Sequence, residues 1–232
     1  MKTIGLLGGM SWESTVPYYR IINQEISRRL GGLHSAKLVL YSVDFEEVER
    51  MQHADRWDQA SDLLVELSKR LQLAGADFLV LCTNTMHKLA PDIEQAVDIP
   101  LLHIADATAD AIRGEGVGVV GLLGTRFTME QDFYAGRLRE RHGLEVLTPG
   151  ESDREVVHKV IYTELCHGRV VDASRKAFVE IVNRMVDRGA EGIILGCTEI
   201  PMLLRAEDVP VPLFDTTTIH ARAAAELASR AC

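Results

Sequence analysis

Apolar positions along this chain follow two alternating patterns. Short runs rich in Leu and β-branched residues, bounded by turn signals, occur at Thr3–Leu7, Lys37–Ser42, Phe78–Cys82, Leu101–Ile104, Val117–Leu123, Gly192–Leu195 and Pro212–Phe214. Runs this short and this continuously apolar predict buried parallel strands. Between them the spacing becomes helical. Ala60, Leu63, Leu64, Leu67 and Leu71 form one stripe that Gly75 ends, and Tyr18, Ile21, Ile22 and Ile26 share a face ahead of Gly31 and Gly32. Val156, Val157, Val160, Ile161 and Leu165 do the same before Gly168. Strands alternating with helices predict an α/β fold whose parallel sheets are covered on both faces.

The pattern also repeats. Gly5-Leu6-Leu7-Gly8 returns as Gly121-Leu122-Leu123-Gly124, and Gly75-Ala76-Asp77 returns as Gly189-Ala190-Glu191. Cys82-Thr83 returns as Cys197-Thr198, and Ile99-Pro100-Leu101-Leu102 as Val211-Pro212-Leu213-Phe214. The order is kept at an offset of roughly 115 residues, far too long for a solenoid unit. The expectation is two similar Rossmann-like parallel-sheet domains related by a pseudo-two-fold axis, with an active-site cleft between them. Ligands of open parallel sheets bind beyond the carboxyl ends of the strands. Cys82 and Cys197 stand at such ends, in what the repeat makes equivalent positions. One thiolate could then take a proton from one face of a carbon while the opposite thiol gives one to the other face. A neutral thiol is a poor base, so at least one of the pair is expected to have a lowered pKa.

Other features read more plainly. Free cysteine is usually a small buried hydrophobe, which is the reading for Cys166 in a helical segment and for Cys232 at the end of the chain. The loop Leu6–Thr15 (LLGGMSWEST) is neither Gly-x-Gly-x-x-Gly nor a Walker A sequence. A tight turn with Ser11 or Thr15 capping the next helix competes there with ligand contact. His87, His103 and His220 lie near strand ends without metal or triad spacing and read as structural polar residues.

Composition narrows the classes. A chain of 232 residues, 47% hydrophobic and 25% charged, suits one large or two small globular domains. A formal net charge of −9 with no basic run argues against nucleic acid as a partner. No apolar segment approaches a membrane span, and Met1-Lys2-Thr3-Ile4-Gly5 reads as a first strand rather than a signal peptide. Four cysteines are too sparse for a disulfide scaffold, and no Cys-x-x-Cys or His-x-x-x-His suggests a metal, so a reducing cytoplasm is the expected location.

At LCTNTMH, LGCTEI and IGLLGGMSWEST the sequence resembles the aspartate/glutamate racemase superfamily, in its aspartate racemase branch. Through TIGLLGGMSWEST, CTNTMHK, LHIADAT and LLGTRFTMEQDFY it is most similar to the broad-specificity amino-acid racemases of enteric bacteria. The resemblance implies an isomerase that needs no pyridoxal phosphate or other cofactor and acts on a small amino-acid substrate, with a homodimer as a candidate assembly. It implies that Cys82 and Cys197 are catalytic and that Thr83, Asn84 and Thr85 hold the α-carboxylate. Thr198 and Glu199 match the polar pair after the second cysteine, and Met10 and Gln52 match substrate-contacting positions. It further implies domains of 1–98 plus 211–232 and of 99–210, the last strand and helix returning to the first.

One departure bears on specificity. A helix-end position that carries lysine in aspartate-specific relatives is Cys166 here, and Arg50 and Gln52 compete for the other basic position. Neutral or mixed side-chain preference is therefore expected beside the alternative of an aspartate racemase in the narrow sense. Hydantoin racemases and maleate isomerases are related enzymes, whereas arylmalonate decarboxylases keep only one of the two cysteines. A thiol redox protein and a non-catalytic amino-acid-binding protein are the readings from other classes.

Overall fold

Glycine and leucine in the first strand, β1 (Ile4–Gly8), are fully enclosed, which requires partners on both edges and both faces. The computed structural model supplies them, and it describes residues 1–230; Cys232 lies outside these. The chain divides into two units, Met1–His103 with the segment from His220 onward, and Ile104–Ile219.

In the first unit β1 is followed by α1 (Trp12–Leu30), β2 (Leu38–Ser42), α2 (Phe45–His53), α3 (Trp57–Leu73), β3 (Phe78–Leu81), α4 (Ala90–Ala96) and β4 (Leu101–Leu102). The four strands are parallel in the order β2-β1-β3-β4. Successive side chains of a strand face opposite ways. Leu7, Leu79 and Leu81 therefore meet the α3 stripe of Ala60, Leu64, Leu67 and Leu71. Ile4, Leu6, Phe78 and Val80 meet Tyr18, Ile22 and Ile26 of α1 together with Ala221, Ala224, Ala225 and Ala228. Those alanines belong to the last helix, whose small side chains let it lie close.

The second unit contains α5 (Ile104–Gly114), β5 (Val119–Gly124), α6 (Arg126–Glu130), α7 (Asp132–His142), β6 (Glu145–Leu147), α8 (Glu151–Thr163), α9 (Asp172–Asp187), β7 (Gly192–Gly196), α10 (Ile200–Leu203), β8 (Leu213–Asp215) and the start of α11 (Thr216–Ser229). Its parallel sheet runs β6-β5-β7-β8, the same topology as the first. Leu123, Ile193 and Leu195 pack against Val157, Val160 and Ile161 of α8 and Phe178, Ile181, Val182 and Met185 of α9. Val120, Leu122, Ile194 and Phe214 pack against α5 and α7 through Ile112, Tyr134 and Leu138.

Two details depart from the sequence reading. The strand expected at Pro212–Phe214 was assigned to the first domain, but β8 hydrogen-bonds to β7, so that strand stays in the second unit. The strand at Leu101–Leu102 was assigned to the second domain, but it pairs with β3 in the first. Each fourth strand satisfies the main-chain groups on an otherwise open edge of its own sheet. The boundaries at 98/99 and 210/211 accordingly move to 103/104 and 219/220. The sequence reading also omits β6, a three-residue strand with exposed or half-buried side chains.

His220 ties the end of β4 to α1 within the first unit. Its Nε2 lies 2.8 Å from the Leu102 carbonyl, which can only accept, so Nε2 carries the proton and Nδ1 accepts from the Tyr18 hydroxyl at 2.9 Å. Burial pushes this imidazole down to about 4, against a partial opposing effect of the Leu102 bond. In the unfolded chain the same group titrates near 6.5, so between those values the unfolded chain binds the extra proton. The stability that neutral His220 confers is whole above pH 6.5 and declines as the pH falls towards 4. Urea titrations should show the native chain losing roughly 2 to 3 kcal/mol more between about pH 7 and pH 4.5 than His220→Gln does. Equal acid slopes in the two chains would remove His220 as the cause.

Candidate active site

The carboxyl ends of β1 and β3 lie side by side. Leu7 pairs with Leu81, and the Cys82 N–H donates to the Leu7 carbonyl at 2.9 Å as a further rung. The chain then turns at once, the Thr83 N–H donating to the Leu81 carbonyl at 2.9 Å, and enters a 3-10 turn at Thr85–Leu89. Cys82 continues the alternation of Phe78 and Val80 and is buried with them on the α1 side. Its Sγ points to the Val80 carbonyl at 3.8 Å. Thr83, Asn84 and Thr85 are also buried.

The turn after β1 is held by Thr15. Its hydroxyl accepts from the Gly9 N–H at 2.8 Å and donates to the Ser11 carbonyl at 3.0 Å, while the Ser11 side chain makes no capping bond. Gly9 has φ +91°, and a Cβ there would fall 2.4 Å from the Val43 main chain, so only glycine fits. Met10, carried on this turn, packs with Leu7 and Met86. Helix α2, started by Asp44 accepting from the Glu46 N–H, buries Val48 and Gln52 on one face. Gln52 donates from Nε2 to the Met86 sulfur at 2.9 Å. Arg50 points elsewhere, exposed and paired with Glu46 at 3.0 Å. Gln52, not Arg50, is therefore the residue that α2 turns inward.

In the second unit β7 ends at Gly196, paired with Gly124, and Cys197 follows directly. Its Sγ donates to Glu199 Oε2 at 3.1 Å, and Thr198 Oγ1 donates to the same oxygen at 2.7 Å. Glu199 is buried. Cys197 continues the face of Ile193 and Leu195, among the side chains of α8 and α9. Cys166, in the 3-10 turn Leu165–His167, packs half-buried on that same cluster.

The expected equivalence of the two cysteines holds for the strands and fails by one residue in register. Leu7 pairs with Leu81 as Leu123 pairs with Leu195, so Cys82 occupies the step that Gly196 occupies in the second sheet. A one-residue step reverses the direction of a side chain. Cys82 faces the α1 side, whereas Cys197 faces the α8 and α9 side.

Neither thiol is activated in the way the sequence suggested. Burial pushes Cys82 up, and burial, then the Glu199 charge, then Cys166, push Cys197 up. Cys166 is raised to about 12 by burial and then by Glu199. Enclosure away from water favours S–H over S⁻ at both sulfurs, and at Cys197 the Glu199 carboxylate adds to this against a lowering contribution of the Glu199 main-chain N–H. Glu199, read from the sequence as a substrate contact, is thus a carboxylate within hydrogen-bond reach of a thiol; its two-residue spacing from Cys197 was the available signal. Among the described residues no group of three or more His, Cys, Asp or Glu could hold a metal ion, and no helix is long and apolar enough to cross a membrane.

The sequence profile of Asp/Glu/hydantoin racemases matches residues 7–224. The chain belongs to the Asp/Glu/hydantoin racemase family. Members of this racemase family are isomerases. A candidate Asp/Glu racemase from Yersinia pestis is 56% identical, with 98% of this chain and 99% of that one aligned at a TM-score of 0.93. An aspartate racemase homologue from Pyrococcus horikoshii is 38% identical over 99% and 100% of the two chains, with a TM-score of 0.84. The broad specificity amino-acid racemase RacX of Bacillus subtilis is 23% identical over 94% of this chain and 95% of its own. These likenesses cover both units of the racemase fold.

Raised thiol pKa values have a direct readout. Iodoacetamide should modify Cys82 and Cys197 slowly near neutral pH and faster only above about pH 9, followed by peptide mass mapping. Glu199→Gln removes the anion from beside Cys197, so its alkylation should quicken while that of Cys82 does not change.

Proposed function

We propose that this protein is a cofactor-independent amino-acid racemase in which Cys82 and Cys197 serve opposite faces of the substrate α-carbon. The observation that carries the reading is the Cys197 Sγ–H bond to Glu199, a thiol with a base in reach directly after the strand β7 that matches β3. Glu199 takes the Cys197 proton, and the resulting thiolate removes the α-proton. The Cys82 thiol then gives its proton to the opposite face, leaving the inverted amino acid and a thiolate at Cys82. Proton exchange with solvent restores the starting form, and the reverse reaction begins from the Cys82 thiolate. Thr83, Asn84 and Thr85 bind the α-carboxylate through hydroxyl, amide and main-chain N–H donors, which also stabilise the charge that spreads onto it when the α-proton leaves. Thiol chemistry of this kind suits a reducing compartment such as the cytoplasm.

Side-chain selection follows from the absence of an inward cation at the compared positions. Gln52 is inward and neutral, Arg50 is paired at the surface, and Cys166 is a neutral thiol under the influence of the Glu199 charge. A second carboxylate would lack a partner to offset its desolvation, whereas a hydroxyl or amide could be hydrogen-bonded. The RacX relative, by its name, has broad specificity, which supports the same preference here.

Incubation with single L-amino acids in D₂O, followed by NMR and chiral chromatography, tests the reaction. Cys82→Ser and Cys197→Ser should each slow racemisation by about a thousandfold with the fold intact, and Glu199→Gln by about a hundredfold. Full activity in either cysteine variant would end the two-thiol scheme. Across the panel, homoserine and other neutral or polar amino acids should match or exceed aspartate in kcat/KM. An aspartate preference of about a hundredfold would instead mean a cation in the pocket and an aspartate racemase in the narrow sense.

A further inference from the structure

Three histidines outside the proton transfers lie buried in the first unit: His87, His103 and His220. The His87 ring packs edge-on against His103, with centroids 4.5 Å apart, and against His220, with centroids 5.9 Å apart. His220 is fixed through both ring nitrogens, by Tyr18 and by the Leu102 carbonyl. His87 therefore rests against an immobile neighbour, and its own Nδ1 lies 2.7 Å from the Thr83 carbonyl oxygen. A carbonyl only accepts, so Nδ1 bears the proton and donates. The His87 main-chain N–H also donates to the Asn84 carbonyl, at 3.1 Å. One residue thus holds the carbonyls on both sides of Asn84.

In a planar trans peptide the C=O of Thr83 and the N–H of Asn84 point in opposite directions. Holding the Thr83 oxygen towards the histidines turns the Asn84 N–H away from them. We propose that His87 is a positioning residue that sets the Thr83–Asn84 peptide so that the Asn84 N–H donates to the substrate α-carboxylate. The proposal rests on the reading above, in which Thr83–Thr85 binds that carboxylate. Packing against His103 and His220 prevents the imidazole from swinging off the Thr83 oxygen. The Nδ1–H bond keeps the peptide from rotating its N–H inward. His87 itself touches no reacting atom.

Two substitutions separate this role from simple packing. His87→Asn keeps an N–H donor at nearly the place of Nδ1, because both atoms hang from Cγ. His87→Leu keeps much of the bulk and has no donor. Thermal melts establish that both variants fold. Kinetics with L-homoserine, and the Asn84 amide signal in ¹⁵N-labelled full-length protein titrated with L-homoserine, provide the readouts. His87→Asn should stay within about threefold of the native kcat/KM, and His87→Leu should raise KM by about tenfold and lose the ligand-induced downfield shift of the Asn84 amide. A native KM and shift in His87→Leu overturn the proposal, as does a loss in His87→Asn as large as that in His87→Leu. If the native protein racemises amino acids while the Asn84 amide ignores L-homoserine, the proposal falls and the racemase reading stands. If it neither turns over nor binds any amino acid of the panel, the racemase reading fails and takes the proposal with it.

Discussion

The rung from the Cys82 N–H to the Leu7 carbonyl decides where the first sheet stops and its buried polar turn starts. Up to that bond the chain is a buried strand whose polar groups are spent on its neighbours. Directly after it, Thr83 turns back on Leu81 and the polar segment Thr83–Thr85 is released from the ladder. Beside it Gly8 and Gly9 end β1, and the Thr15 hydroxyl fastens the loop that carries Met10. A ladder longer by one residue would draw Cys82 fully into the strand. The turn that follows would then lose its place against His87.

The second unit uses the same scaffold with a different end condition. Its ladder runs on through Gly196, so its cysteine leaves the sheet one step later and on the other face. Glu199 then reaches back to accept from both Cys197 and Thr198. The first thiol has a main-chain carbonyl for a neighbour, the second a carboxylate. Burial pushes both thiols up, so each favours S–H over a standing thiolate.

Much of this was legible in the sequence because the central strands are continuous apolar runs and their helices carry unbroken stripes. Ala60, Leu64, Leu67 and Leu71 could only be one face of a helix against a sheet. The repeat revealed that Cys82 and Cys197 end corresponding strands. It could not reveal their facing, since Cys-Thr aligns with Cys-Thr by identity whereas direction is set by hydrogen-bond register. Strand β6 escaped because three half-exposed residues carry too little hydrophobic signal. The choice between Arg50 and Gln52 was open to inspection: Gln52 lies four residues from Val48 and so shares its face, while Arg50 lies two away and does not. Thiol protonation was hidden, because it depends on burial and on acceptors brought in by folding.

The unlike surroundings of the two sulfurs carry a thermodynamic corollary for a racemase that uses both. Enantiomers have the same free energy in an achiral solvent, so the equilibrium constant of the catalysed reaction is unity whatever the protein does. The ratio kcat/KM must then be equal for the L and D forms. A carbonyl beside one thiol and a carboxylate beside the other cannot make the enzyme favour one hand at equilibrium. The asymmetry can only be divided between how tightly each hand is held and how quickly it is turned over, with the two differences cancelling.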